Sequence, residues 1–76
     1  MNAKRRKDLA EAIKNFDLGL SQLREILDEE QEAFDNMPDS FQSSDKGETA
    51  QEIITALDEV ISTIEDAASN LEGIGQ

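Results

Sequence analysis

The stretch Asp8–Leu27, DLAEAIKNFDLGLSQLREIL, decides the fold. Leu9, Phe16 and Leu23 form one apolar column with a seven-residue period, and Ile13, Leu20 and Leu27, continued by Phe34, form a second. The steps between the columns alternate four and three. That spacing puts both on one face of an α-helix and does not fit a strand, whose side chains alternate every second residue. Glu30 is the single break in the stripe. A third column of the same period holds Ala12, Gly19, Ile26 and Ala33.

Toward the C-terminus the scheme recurs. Ala50, Leu57, Ile64 and Leu71 make the first column, Ile54, Ile61 and Ala68 the second, and Ile53, Val60, Ala67 and Ile74 the third. We therefore expect an all-α fold: one helical-hairpin domain over residues 1–76, with helices at 4–35 and 46–72 and a loop at 36–45. At a rise of ~1.5 Å per residue the helices are roughly 48 and 40 Å long. Near-equal helices joined by a short loop pack antiparallel, here as a coiled-coil-like hairpin. Pro38 and a Ser/Asp-rich run mark the connection. Pro38 is expected to open a one-turn helix that carries Phe41 back to the core. Asp45 and Glu48 have capping-box spacing, with Ser44 as the alternative cap. Gly73 suits a left-handed closing residue, after which Ile74 folds back onto the last turn.

Two facing helices need only two apolar columns, and a third implies a further neighbour. A chain of 76 residues buries only about 60% of the surface its unfolded form exposes. It has no cysteine and no histidine, so neither a disulfide nor a zinc site is available as a staple, and oligomerisation is the remaining route. The expected assembly is a homodimeric four-helix bundle or a higher oligomer. Its interface would hold Ala12, Gly19, Ile26 and Ala33 from one helix and Ile53, Val60 and Ala67 from the other. Gly19 costs about 1 kcal/mol against alanine inside a helix. It has either a packing or bending role, or it marks a tolerated kink.

The formal net charge is −11, and from Asp8 onward three basic residues face eighteen acids, a balance of −15. Direct DNA binding is disfavoured over such a surface, whereas a basic protein partner is favoured. No apolar run exceeds two residues, so no membrane span is expected. Lys4, Arg5, Arg6 and Lys7 are followed by Asp8 and Glu11 where a secretory signal would turn apolar.

The charges oppose the helix dipole, which prefers acids at the N-terminus and bases at the C-terminus. The first helix opens on Lys4, Arg5, Arg6 and Lys7 and closes on Glu25, Asp28, Glu29, Glu30, Glu32 and Asp35. Glu25–Glu29 and Asp28–Glu32 are like-charge pairs one turn apart, each costing a few tenths of a kcal/mol. Folding the hairpin adds Asp39, Asp45, Glu48 and Glu52 to that acidic end, ten acids in all, opposed locally by Arg24 and Lys46. The basic start would lie near Glu65, Asp66 and Glu72. Breaches of local rules concentrated in one place point to a functional site. The candidate partner-binding residues are Glu25, Asp28, Glu29, Glu32, Asp35 and Asp39, with Met37 and Phe41 as apolar anchors. The competing explanations are a solvated face, or neutralisation by the opposite end of an antiparallel partner. Lys4, Arg5, Arg6 and Lys7 are candidate phosphate ligands or, alternatively, partners of nearby acids.

Catalytic chemistry has little to draw on. Without histidine, cysteine or tyrosine no nucleophile has a general base beside it, and no enzyme activity is expected. A calcium loop counted from Asp35 fails, because its sixth position is Ser40 instead of glycine and its twelfth is Lys46 instead of glutamate. No Gly-rich phosphate loop occurs. Neither a metal nor another cofactor is expected.

The segments Met1–Lys7 (MNAKRRK) and Asp28–Gln42 (DEEQEAFDNMPDSFQ), followed by Lys46-Gly47-Glu48 and the second set of heptads, resemble a family of short acidic helical-hairpin accessory proteins of bacteriophages and prophages of Gram-positive bacteria. The turn segment is the specific part of that resemblance. The family implies location in the cytoplasm of an infected host and a role in the contest between virus and host. Small proteins of that setting are often counter-defence inhibitors, anti-CRISPR proteins among them, that bind without turnover.

Three functions follow as expectations. In the first, the acidic end occupies a basic groove of a host nuclease or DNA-binding protein, its carboxylates standing in for phosphates. In the second, the chain is a structural or adaptor element of phage assembly or replication. In the third, an oligomer of hairpins sequesters a nucleotide immune signal, with Arg5, Arg6 or Lys7 on its phosphates.

Overall fold

The computed structural model describes all 76 residues. Helix α1 spans Ala3–Asp35, a single turn α2 spans Asp39–Gln42, and helix α3 spans Asp45–Ile74. There is no strand. The long helices α1 and α3 pack against each other in a rod of 58 × 15 × 12 Å. The fold is an all-helical hairpin.

Helix α1 is rich in Ala, Leu, Glu and Lys, which lose little side-chain freedom in a helix, whereas α3 carries Ala and Glu with five Ile on its apolar columns. Packing follows the second columns. Ile13 and Leu20 of α1 and Gly47, Ile61 and Ala68 of α3 are buried there, and Ala50 is the one buried member of a first column. The remaining first-column residues are half-buried, except Phe16, which is 48% exposed. Apart from the half-buried Gly19, the third columns are exposed. Burial thus falls from the second column to the first to the third, and no large side chain is fully enclosed.

Two cross-helix relationships set the register. Arg24 Nη2 lies 3.1 Å from Glu65 Oε1, and a Cβ built on Gly75 would sit 3.4 Å from Leu9 Cδ2. Antiparallel heptads in this register bring Gly19 level with Ala67 and Ile26 level with Val60. Arg24 and Glu65 flank the second columns, and the third columns flank the first. The ion pair therefore lies along one edge of the hairpin, and both third columns share the opposite face.

The ends depart from expectation in four respects. The α1 cap is Asn2, whose Oδ1 accepts the Arg5 backbone N–H at 2.8 Å, so the helix begins one residue before position 4. At α3 the capping box does not form: Ser44 is the cap residue and makes no side-chain cap bond. Its hydroxyl donates instead to the Phe41 carbonyl. Helix α3 runs through Gly73 to Ile74 and is capped by Gly75 at φ −78°. Gly73 is therefore not left-handed, and Ile74, 59% exposed, does not fold back. Finally, Pro38 does open the one-turn helix, accepting N–H bonds from Phe41 and Gln42 at 2.8 and 3.0 Å, but Phe41 stays 54% exposed.

Gln42, not Phe41, closes the turn. Its Nε2 donates to the Phe34 carbonyl at 3.1 Å, which satisfies one of the acceptors left free at the end of α1. Gly47 is buried beneath α2, and a methyl group there would collide with the Gln42 and Phe41 carbonyls. Glycine is required at this point by the close approach of two backbones.

Candidate interaction surfaces

The turn end collects carboxylates because α1 closes on them and α3 opens on more. Helix α1 has no acid in its first turn and no base in its last, while α3 carries Asp45 and Glu48 in its first turn. Of the ten turn-end acids only Glu30 is half-buried, and the rest are exposed. None makes an ion pair. The two ion pairs of the chain are Lys4–Asp8 at 2.9 Å and Arg24–Glu65. Arg24, expected to offset the acidic end, is instead committed to α3. Gln31 Nε2 donates to Asp35 Oδ1 at 3.0 Å, the one side-chain hydrogen bond received there by an acid. The carboxylates fan outward, and no three of them converge on a point where a cation would sit.

Heptad position separates these acids from the apolar strip. Glu25, Asp28, Glu32 and Asp35 occupy the outer face of α1, turned away from α3 and from the third column. Glu29 borders the third column. Met37, half-buried, and Phe41 line a small apolar depression with Lys46, so the two expected anchors do lie together at this end.

The basic start of α1 is differently partnered than its neighbourhood suggested. Lys4 pairs within its own helix, Glu65 is taken by Arg24, and no ion pair joins Arg5, Arg6 or Lys7 to Asp66 or Glu72. The open end therefore keeps three unpaired cations.

The third face of interest is the apolar one. Ala12, Ile26 and Ala33 from α1 and Ile53, Val60 and Ala67 from α3 are exposed along it, with Gly19 half-buried. Ile26 is 46% exposed and Val60 51%. On the α3 side this strip is bordered by Thr49, Ala56, Thr63 and Asn70, and on the α1 side by Asn15 and Gln22 between Asp8 and Glu29. Its central 30 Å or so, about 20 residues of helix rise, carries no charged border residue. Nothing lies within 4 Å of a Cβ placed on Gly19, so no contact inside the chain demands glycine there.

Concavities elsewhere are shallow grooves open to solvent, such as that lined by Leu27, Asp28, Gln31, Ile54, Asp58 and Glu59. That groove sits on the polar edge, and its carboxylates Asp28, Asp58 and Glu59 are exposed. No helix is long and apolar enough to cross a membrane.

Some of these features escaped sequence reasoning. Asn2 was overshadowed by the basic run after it, though Asn is a preferred cap residue. Gly47 inside an expected first turn was the available signal for a close backbone approach. Leu18, 65% exposed on the outer face, belongs to no column, and nothing in the structure explains it.

Comparisons with protein-family models, with curated proteins and with solved structures give no match.

Proposed function

We propose that this chain is a non-enzymatic binding protein that self-associates through its apolar strip and engages a basic protein with its acidic turn end. The observation that carries this reading is the division of the surface. One face is apolar with an uncharged centre, and the acids stand on the others, with no ion pair at the turn end. An apolar strip left open along the rod is costly to a monomer and marks a contact surface. Unpaired carboxylates at one end give a field that speeds encounter with a positive groove. The resemblance to phage hairpin proteins supports the more specific role, stoichiometric inhibition of a host nuclease or DNA-binding protein as a counter-defence measure.

The test is capture from bacterial lysate by the immobilised chain, compared with Asp28→Lys/Glu32→Lys. Both substitutions lie on the outer face and leave the strip intact. Loss of the captured protein in the variant, and loss on raising salt to about 1 M, where the screening length is ~3 Å, is the expected result. Equal capture by both chains at high salt contradicts the reading.

A further inference from the structure

The charges at the two ends of the open strip, together with the side-chain sizes at its centre, select an occupant and its direction. We propose that the strip is the interface of a homodimer whose two hairpins lie face to face and run in opposite directions, α1 over α1 and α3 over α3. This rests on the self-association argued above and adds its geometry.

Area comes first. The chain exposes 5708 Å², whereas a compact monomer of 8.4 kDa exposes about 4,600 Å², an excess of about 1,100 Å². A stable pair buries about 800 Å² from each partner. One face of this rod is enough.

Shape at the centre of the strip favours one direction. At one level of the strip stand Gly19 and Ala67, and at the next stand Ile26 and Val60. At these two central levels, two hairpins running the same way bring small residues against small and large against large, whereas at the outer levels Ala12 and Ala33 would face Ile74 and Ile53. The central pairing leaves a void at one level and a clash at the next. Reversing one hairpin about a twofold axis midway between the levels places Ile26 over Gly19 of the other copy and Val60 over Ala67. At these central levels each large side chain then meets a small one, while at the outer levels of the same pairing Ala12 faces Ala33 and Ile53 faces Ile74. The open space at the Gly19 Cβ position is the space such an isoleucine needs.

Charge agrees with shape. In the reversed pair Arg5, Arg6 and Lys7 of each copy, without an ion-pair partner in their own chain, approach the acidic turn of the other. The same-direction pair would bring ten carboxylates against ten. Ten acids against Arg5, Arg6, Lys7 and Lys46 leave each end of the reversed dimer acidic, so the outer-face carboxylates remain for a basic partner.

A single spin label at Ala10→Cys tests this, since the chain has no other cysteine and Ala10 is exposed on the polar edge. The reversed dimer places the two labels about 40 Å apart, from a rise of ~1.5 Å over some 25 residues. A same-direction dimer places them within roughly 25 Å, at one level of the bundle. A distance near the longer value, with dipolar modulation that falls on dilution with unlabelled chain, is expected. The shorter value overturns the proposed direction while self-association stands. Absence of dipolar coupling overturns both.

Discussion

Arg24 reaches across the hairpin to Glu65, Nη2 to Oε1 at 3.1 Å, on the edge opposite the strip that carries Ile26 and Val60. One edge of the molecule is thus closed by charge within the chain, and the other is left apolar and open. That asymmetry organises the functional reading.

The ion pair itself contributes little. Its side chains are 51% and 46% exposed, and exposed pairs measure about 0.2–1 kcal/mol. A double-mutant cycle over Arg24→Ala and Glu65→Ala should give a coupling in that range that fades with added salt. A salt-independent coupling above about 2 kcal/mol would place the pair in a drier setting than the hairpin supplies.

Gly47 should tolerate no side chain. Gly47→Ala drives a methyl into the Gln42 and Phe41 carbonyls, and a displaced backbone costs about 1–3 kcal/mol. The urea midpoint, compared at equal protein concentration, is expected to fall. An unchanged midpoint would mean that α2 is not held against α3.

Gly19→Ala should have opposite effects on the hairpin and on the dimer. Within one chain a methyl at Gly19 meets nothing, and alanine gains about 1 kcal/mol of helix propensity. Across the proposed interface the same methyl intrudes on Ile26 of the second copy. Thermal melts at dissociating concentrations should rise, while the dimer dissociation constant increases several-fold. Tighter association of the variant would remove Gly19 from the interface.

Much of the architecture was legible in the columns. Ile13, Leu20, Ile61 and Ala68 stand at the positions the seven-residue period assigns to the core, because a buried seam leaves a strict mark on sequence. The ends were less legible. Gly73 carried the residue type of a left-handed cap, but the helix passes through it to Ile74 and is capped by Gly75 at φ −78°, so neither glycine uses the left-handed region its residue type allows. Phe41 looked like a core residue, yet the hydrogen bond that pins the turn comes from Gln42. The acidic end was visible as a run of letters. That Arg24 would be claimed by Glu65, and so withdrawn from it, depends on the register between helices, which no local pattern encodes. Whether the third column meets a second copy belongs to the assembly, and the single chain shows only that it is open.

Salt should weaken partner capture and strengthen, or leave unchanged, the apolar contact between copies. Outer-face carboxylates are screened within a Debye length, while burial of Ile26 and Val60 does not depend on charge. Titrating sodium chloride while following both capture and mass should separate the two. Parallel loss of both would tie association to the charged ends instead of the strip.

The central claim is that the open strip is covered by another copy. Sedimentation equilibrium of the unmodified chain in dilute buffer tests it directly. A mass of at least twice 8.4 kDa is expected, reverting toward the single-chain value on dilution or on Val60→Glu. A mass of 8.4 kDa at every concentration, with the helices intact by circular dichroism, would contradict it.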